Sequence, residues 1–301
     1  MKRREFLLQS TLLAASSTLP FRWLASDDSN FTTLRRNTGT FVMRGGTIGW
    51  LINEEGVVII DSQFPDAARS CASGLKQKTD VDFDMLINTH HHGDHTAGNP
   101  VFKEQVEHII AHKNVPNLQR QSARQQDNAE ETLKKLVVAD ITYQDSWSQK
   151  IGDETVHLRY YGPGHTGGDS VIYFEKANVA HMGDLVFNRA HPFIDRAGGA
   201  SIENWITILD KTRNELPDDA IFIFGHGNSN YGITGSGEGL KVKRNYLSEL
   251  LEVVQKGIDA GKTKEEISNQ EVLKGFEEFN APDWRLPLNR NLATAYDELS
   301  A

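Results

Sequence analysis

The chain has 301 residues, of which 38% are hydrophobic and 24% charged, so it can bury a substantial core as one large domain or two small ones. Its formal net charge of -9 excludes the broad basic surface that nucleic acid binding requires, and we expect no nucleic acid partner. The single cysteine, Cys71, excludes an internal disulfide, and its helix-like surroundings predict a small buried thiol.

Residues 1–25 have the composition of an export signal. The stretch "MKRREFLLQSTLLAASSTLP" places Lys2, Arg3 and Arg4 before a short apolar run and resembles a twin-arginine signal. We therefore expect a periplasmic or otherwise exported protein, with the twin-arginine export machinery as a partner. The run is too short for a stable membrane span, unless the signal stays uncleaved as an anchor. The alternative interpretation is a basic start to an amphipathic helix.

The first structural cycle begins near Thr40. The stretches "TFVMRG", "GTIGWLIN" and "GVVIIDS" are separated by turn residues and predict an antiparallel meander. A helix is predicted over Pro65 to Lys78, and "FDMLINT" predicts a buried strand with a histidine-rich loop at its carboxyl end. A further strand, "VEHIIAHK", and a helix, "NVPNLQRQSARQQ", follow. The polar stretch from Gln119 to Lys135 predicts an exposed helix and loop.

A second cycle begins near Ile141. The stretches "ETVHLRYYG", "DSVIYFEK", "ANVAHMGD" and "AIFIFGHG" predict strands, with a helix, "SIENWITILDKTRNEL", before the last of them. After Gly237, the stretches "GLKVKRNYLSELLEVVQKGIDAG" and "NRNLATAYDEL" predict helices that cap the domain. Two strand-rich halves, each followed by helices, predict sheets stacked between helical layers.

The loop "THHHGDHTAGN" carries the strongest chemical signal in the chain. In an extended segment His90 and His92 project to the same side and can reach one metal. Asp94 and His95 follow where the chain must turn, and they can face a second metal. Imidazole and carboxylate groups are ligands that zinc favours. His91 is out of phase with its neighbours, which predicts a structural role.

One loop cannot complete two coordination spheres, and further ligands are expected at later strand ends. His165 lies in the glycine-rich turn "GPGHTGGDS", Asp184 follows a strand in "AHMGDLVF", and His226 follows another in "FGHGNS". Each alone is typical of an ordinary turn. Their shared position after strands favours a common site.

These motifs together resemble the metallo-β-lactamase superfamily. The resemblance implies an α+β fold, a four-layer αββα sandwich, with the hydrolase domain and its capping helices over residues 35–301. It implies two Zn²⁺ ions, the first held by His90, His92 and His165, the second by Asp94, His95 and His226, with Asp184 bridging both. An aspartate that ends an early strand in the family matches Asp61, which would orient a metal ligand.

The resemblance also implies the chemistry. Two divalent ions can share a water and supply a metal-bound hydroxide at neutral pH, with Asp94 as a catalytic ligand, for hydrolysis of a small-molecule ester, lactone, thioester or β-lactam. Many true β-lactamases have a cysteine or no ligand where Asp184 stands, so Asp184 favours the broader hydrolases. Residues expected to line the substrate pocket are Phe64, Asn188, His191, Phe193, Trp205 and Tyr231. Two alternatives remain at this point, an iron-dependent oxidoreductase similar to the sulfur dioxygenases and a non-enzymatic protein that binds a metal or a partner.

Overall fold

The computed structural model describes residues 28–281, 284 and 286–301. The predicted export signal, residues 1–25, lies outside the described residues. Within the described part of the chain, no helix combines the length and the apolar composition that a membrane crossing needs.

The first sheet takes its strands in chain order. They are β1 (Phe31–Thr33), β2 (Thr38–Phe41), β3 (Ile48–Ile52), β4 (Val57–Ile60), β5 (Phe83–Ile87), β6 (His108–His112) and β7 (Ile141–Tyr143). The first four strands pair antiparallel, which confirms the predicted meander. The last four pair parallel, so β4, β5 and β6 deliver their carboxyl ends to one edge of the sheet.

The second sheet has the order β15-β13-β11-β10-β9-β8. Its strands are β8 (Ser146–Ile151), β9 (Glu154–Arg159), β10 (Val171–Phe174), β11 (Val179–His181), β13 (Ile221–Ile223) and β15 (Thr234–Gly235). A short parallel pair, β12 (Phe187–Asn188) with β14 (His226–Gly227), lies beside it. Because β11 and β13 are also parallel, their carboxyl ends share one edge.

The helices flank the two sheets. They are α1 (Pro65–Lys78), α2 (Gly93–Thr96), α3 (Asn99–Lys103), α4 (Val115–Arg124), α5 (Ala129–Lys135), α6 (Ile202–Glu215), α7 (Gly237–Asp259), α8 (Lys264–Ser268) and α9 (Leu288–Leu299). The bounds of α1 are those predicted from the sequence. The predicted helices after Gly237 are α7 and α9.

Three apolar clusters separate four layers. One packs α1 and α3 on the first sheet, a second lies between the two sheets, and a third packs α6, α7 and α9 on the second sheet. This arrangement is the predicted αββα sandwich. Cys71 is fully buried in the first cluster, and burial raises the pKa of its thiol well above the ordinary value, so a thiolate nucleophile is not available there.

Two stretches differ from the sequence prediction. In the stretch from Gln119 to Lys135, Gln119 and Ala123 are buried rather than exposed, because Val115, Gln119 and Ala123 recur at helical spacing on one face of α4. Strand β8 was not predicted, because it is an edge strand whose polar side chains interrupt any apolar run.

Candidate metal centre

The seven side chains predicted as metal ligands meet at one edge of the sandwich. Their ligand atoms form two groups, each spanning at most 4.8 Å: His90, His92, His165 and Asp184 in the first, Asp94, His95 and His226 in the second. The loop after β5 supplies four of them, and turns or short strands beside β10, β11 and β13 supply the others. Strand ends that converge on one edge thus bring together residues far apart in sequence.

The first group is a set of three converging imidazole nitrogens. His90 Nε2 and His165 Nε2 each lie 3.0 Å from His92 Nδ1. Asp184 Oδ2 lies 3.8 Å from His90 Nε2 and 3.5 Å from His165 Nε2. Four donor atoms therefore enclose one small volume.

The other nitrogen of each imidazole fixes its protonation. His165 Nδ1 donates to the Phe193 carbonyl at 2.8 Å, and His92 Nε2 donates to Asp195 Oδ2 at 3.0 Å. His90 Nδ1 lies 2.9 Å from Thr89 Oγ1, and that hydroxyl already donates its own proton to Asp61. All three inward nitrogens therefore carry lone pairs that face one another, an arrangement that a bound cation stabilises.

The second group is arranged around His95. Its Nδ1 donates to Asp61 Oδ2 at 2.7 Å, which fixes the ring with its Nε2 3.3 Å from His226 Nε2. Asp94 Oδ2 lies 3.1 Å from His226 Nε2 and 3.8 Å from His95 Nε2. Asp61, predicted to orient a ligand, is fully buried and also accepts hydrogen bonds from the Thr89 backbone and hydroxyl.

Asp184 lies between the two groups. Its Oδ2 faces the first group, whereas its Oδ1 lies 3.0 Å from His95 Nε2 and 3.5 Å from His226 Nε2. Among the described residues, Oδ1 is buried without a hydrogen-bond partner. A buried carboxylate oxygen with no donor is costly unless a cation compensates it, so the donor set fits divalent metal binding at this carboxylate.

Burial sets the charge states of the centre. It lowers the pKa of His165 to about 3 and that of His90 well below its ordinary value, which keeps both imidazoles neutral. Burial opposes ionisation of Asp184, but His226 and His95 outweigh it and hold the pKa of that carboxyl well below its usual range. Burial opposes protonation of His95, but the Asp184, Asp94 and Asp61 carboxylates outweigh it and hold the pKa of that imidazole well above its ordinary value. Metals bind neutral imidazoles and ionised carboxylates, so a metal at His95 would displace this proton.

Asp195 is a functional residue that sequence reasoning missed. Its Oδ2 accepts from His92 Nε2 at 3.0 Å and lies 3.3 Å from His91 Nε2, while its Oδ1 accepts from the Gly198 backbone at 2.8 Å. Asp195 is 103 positions from His92, and its own surroundings carry no metal-site motif. The predicted structural role of His91 is consistent with this contact, because His91 is buried and its Nε2 faces the same carboxylate.

We expect Asp195→Ala to weaken binding of the first metal. Loss of the acceptor frees the His92 ring to turn, and removal of such an outer partner typically costs about 10- to 100-fold in metal affinity. Zinc dissociation constants measured by competition with a chromophoric chelator would report this change. The exposed Asp80→Ala serves as the control, and equal affinities of the two variants would contradict the role of Asp195.

A cavity of about 400 Å³ opens over the two groups. It is lined by His92, Gly93, Asp94, Asp184, Phe187, Phe193, His226, Trp284 and Leu286. Phe193 was predicted to line a substrate pocket, and it lies here. Phe187 stacks on the His226 ring, with centroids 5.2 Å apart, and was missed because its apolar surroundings are typical of core.

The other residues predicted to line the pocket are Phe64, Asn188, His191, Trp205 and Tyr231, and the structure does not bring them to this cavity. Trp205 is fully buried in the core, where its indole donates to the Leu185 carbonyl at 2.9 Å. His191 lies between the Tyr246 hydroxyl at 2.9 Å and the Asn280 amide oxygen at 2.7 Å. Both side chains therefore have hydrogen-bond partners within the protein.

The remaining three have local partners. The Asn188 amide donates to the Gly232 carbonyl at 2.9 Å, which fixes a turn. Tyr231 is 44% exposed, and the Arg189 guanidinium lies 4.5 Å from the centroid of its ring. Phe64 is half-buried where α1 begins. Aromatic or polar residue type alone did not distinguish these positions from a pocket wall.

Comparisons with known proteins identify the family to which this chain belongs. A sequence model of the Metallo-beta-lactamase superfamily matches residues 44–226, a range that contains all seven predicted ligands. A metallo-beta-lactamase type 2 from Elizabethkingia meningoseptica is 23% identical over 178 residues, which cover 59% of this chain and 67% of that protein. A hydroxyacylglutathione hydrolase from Pelagibacter ubique (strain HTCC1062) is 26% identical over 195 residues, which cover 62% of this chain and 72% of that protein.

A solved structure is similar over a larger part of this chain. A stereoselective inverting sec-alkylsulfatase from Pseudomonas sp. superposes with a TM-score of 0.68 at 14% identity, covering 89% of this chain and 50% of that one. The chain thus spans half the length of the alkylsulfatase. At this identity the likeness shows a shared fold alone.

Proposed function

Because the chain belongs to the metallo-β-lactamase superfamily, we propose that it is an exported hydrolase that holds two zinc ions and cleaves a small ester, lactone, thioester or β-lactam. The observation that carries the proposal is the position of Asp184, whose two carboxylate oxygens face two separate groups of histidine nitrogens. The second group offers ligands for a second metal.

Each ligand has a role in this proposal. His90, His92 and His165 would hold one zinc, Asp94, His95 and His226 the other, and Asp184 both. Zinc held by these residues would supply Lewis-acid chemistry, which lowers the pKa of a bound water to about 7 and polarises a carbonyl oxygen. The chain itself orients these ligands through Asp61 and Asp195, so the imidazoles need no rearrangement on binding.

The cavity over the centre has an apolar wall for the uncharged part of a substrate. Phe187, Phe193 and Trp284 supply an apolar wall, and its described lining residues include neither lysine nor arginine. An acidic group on a substrate would therefore face the proposed metal ions rather than a cationic side chain of the described lining. Two relatives are named as a metallo-beta-lactamase and a hydroxyacylglutathione hydrolase, and both names describe hydrolases of the proposed kind.

Metal removal tests the proposal. Protein purified without added metal would be analysed for zinc and iron, then assayed on a β-lactam, a lactone, a thioester and an ester. We expect a strong chelator to abolish hydrolysis of at least one substrate, and activity to return when about two zinc ions per chain are restored. Full activity in the metal-free protein, or a requirement for iron instead of zinc, would contradict the proposal.

A matched pair of histidine variants sharpens the test. His92→Ala removes a predicted ligand and is expected to lose activity, whereas His108→Ala changes a histidine with a half-exposed side chain on β6 and is expected to retain it. Equal losses in both variants would indicate a general effect on folding.

Export is the part of the proposal that rests on sequence alone. The Arg3, Arg4 pair is the basis of the twin-arginine interpretation, and joint replacement of both by lysine is expected to hold the protein in the cytoplasm. Cell fractionation and immunoblotting would measure this, with the same exchange at Arg35 and Arg36 as the control. Export of the Arg3, Arg4 variant at the normal level would refute the route.

A further inference from the structure

The cavity over the metal centre has an aromatic wall beside the second ligand group. The Phe187 ring lies between the two groups, with its centroid 5.5 Å from that of His165 and 5.2 Å from that of His226. The Trp284 ring lies 5.6 Å from the His226 ring and 5.8 Å from the Phe187 ring, between centroids. Phe187 and Trp284 both line the cavity, so a molecule bound over His226 meets an aromatic surface.

Hydrogen bonds hold the connection between α8 and α9 that carries Trp284. The Asn228 amide donates to the Glu278 carbonyl at 2.9 Å, and His191 Nε2 lies 2.7 Å from Asn280 Oδ1. The Trp284 indole nitrogen donates to the His191 carbonyl at 2.7 Å. The indole therefore has a fixed position at the cavity before any molecule binds there.

The indole offers the cavity apolar surface rather than a hydrogen bond. Its N–H already donates to the His191 carbonyl, and an indole has no acceptor. The side chain is half-buried and lines the cavity, and Leu286 adds apolar surface to the same lining. Because the ring is already held in place, an apolar group that packs on it pays little for its ordering.

We propose that Trp284 determines specificity by packing against an apolar group of the substrate, an alkyl chain or a ring, over the second ligand group. This inference rests on the proposed function, because it names the substrates that the hydrolase prefers. Those substrates carry an alkyl chain of several carbons or a ring instead of a methyl group. The family match ends at residue 226, so Trp284 comes from a part of the chain outside the matched region.

Alkyl hydroxamates test this proposal without relying on turnover, because the hydroxamate head binds zinc and the chain probes the wall. Isothermal titration calorimetry of the zinc-loaded full chain would compare acetohydroxamate with hexanohydroxamate. A fully buried methylene adds about fourfold in affinity, so we expect hexanohydroxamate to bind at least about 30-fold more tightly. No binding of hexanohydroxamate, or equal affinity for the two probes, would overturn the proposal.

Trp284→Ala is expected to lower this affinity ratio about tenfold, because it removes the indole from the wall. Acetohydroxamate does not reach the wall, so its affinity and the zinc content are expected to stay within about twofold of the wild type. Leu286→Trp adds bulk to the same lining and is expected to lower the ratio even if Trp284→Ala fails to fold. An unchanged ratio in both variants would refute the role of Trp284.

Two control variants locate the alkyl chain of the probe. Trp147 is a half-buried tryptophan on the edge strand β8, outside the described lining of this cavity, and Trp147→Ala is expected to keep the wild-type ratio. Phe193 lines the cavity beside the first group, with its ring 5.4 Å from that of His92. If Phe193→Ala lowers the ratio and Trp284→Ala does not, the chain lies over the first group and the proposal is wrong.

Hydrolysis of the substrate panel, measured on the same preparations, separates this inference from the proposed function. A wild-type protein that prefers hexanohydroxamate through Trp284 but hydrolyses no substrate would refute the proposed function and leave the apolar site standing. Hydrolysis combined with a hydroxamate ratio that Trp284→Ala does not change would refute the apolar site alone.

Discussion

Asp184→Ala is expected to retain about one zinc per chain, to lose most of the second, and to lower kcat about 100-fold or more. The two oxygens of Asp184 face the two ligand groups at 3.0–3.8 Å. Without this carboxylate, one negative charge between two divalent cations is lost and their mutual repulsion increases. The first group keeps three histidine nitrogens, whereas the second keeps two histidine nitrogens and the partly exposed carboxylate of Asp94.

Asp184→Cys is the matched variant. A thiolate is also a good zinc ligand, so this variant is expected to retain part of the second zinc and part of the activity. Zinc content measured by mass spectrometry and kcat measured on the same preparations would rank the wild type first, Cys second and Ala third. Circular dichroism would check the fold, which is expected to survive because Asp184 lies in a turn after β11 rather than in an apolar cluster.

An Ala variant that still binds two zinc ions with unchanged affinity would show that Asp184 is only a turn residue. The bridging role would then be wrong, and so would the argument that carries the proposed function. A variant with no zinc at all would instead mean that the first group cannot hold a metal alone.

The sequence predicted those parts of the molecule whose signals are local. The bounds of α1 followed from a proline at its start and an apolar face at helical spacing, and the ligands in the loop after β5 followed from their spacing within six positions. His165, Asp184 and His226 could be proposed because each adjoins a strand end. Their assignment to one group or the other came from the family resemblance.

Contacts between distant segments escaped prediction. Asp195 meets His92 across 103 positions and lies in a loop without a motif. Trp205 and His191 were expected at a pocket, but their polar atoms are satisfied inside the core by Leu185, Tyr246 and Asn280. Residue type indicates that a polar atom needs a partner, whereas only the fold shows whether that partner is a substrate or the protein itself.

The close approach of the backbone at Gly46 to a metal ligand could also not be predicted from the sequence. Gly46 lies in the turn between β2 and β3, and a Cβ built on it would overlap the imidazole of His95. The Gly46 backbone nitrogen also donates to the Asp94 carbonyl at 3.0 Å, so the turn and the ligand loop are held together. The glycine is therefore required for close approach rather than for an unusual φ.

Gly46→Ala is accordingly expected to lower the zinc content towards one ion per chain and to remove most of the activity. His95 is fully buried, and its Nδ1 is fixed by Asp61 at 2.7 Å, so the ring cannot move away from the added methyl group without losing that hydrogen bond. Overpacking of this kind typically costs about 1–3 kcal/mol of folding free energy, and here it falls on a metal ligand. Zinc analysis and thermal unfolding, measured together, would separate loss of metal from loss of fold.

Gly237→Ala is the matched control for this substitution. Gly237 begins α7, and the nearest atom that its added Cβ would meet is a side-chain carbon of Arg213 at 3.6 Å, an ordinary contact. Alanine also favours the helix more than glycine does, so this variant is expected to keep two zinc ions and equal or greater stability. If Gly46→Ala behaves like Gly237→Ala, with two zinc ions and full activity, the His95 ring can move away from the added methyl group and still bind its metal. The tight support of the second ligand group would then not be needed for metal binding.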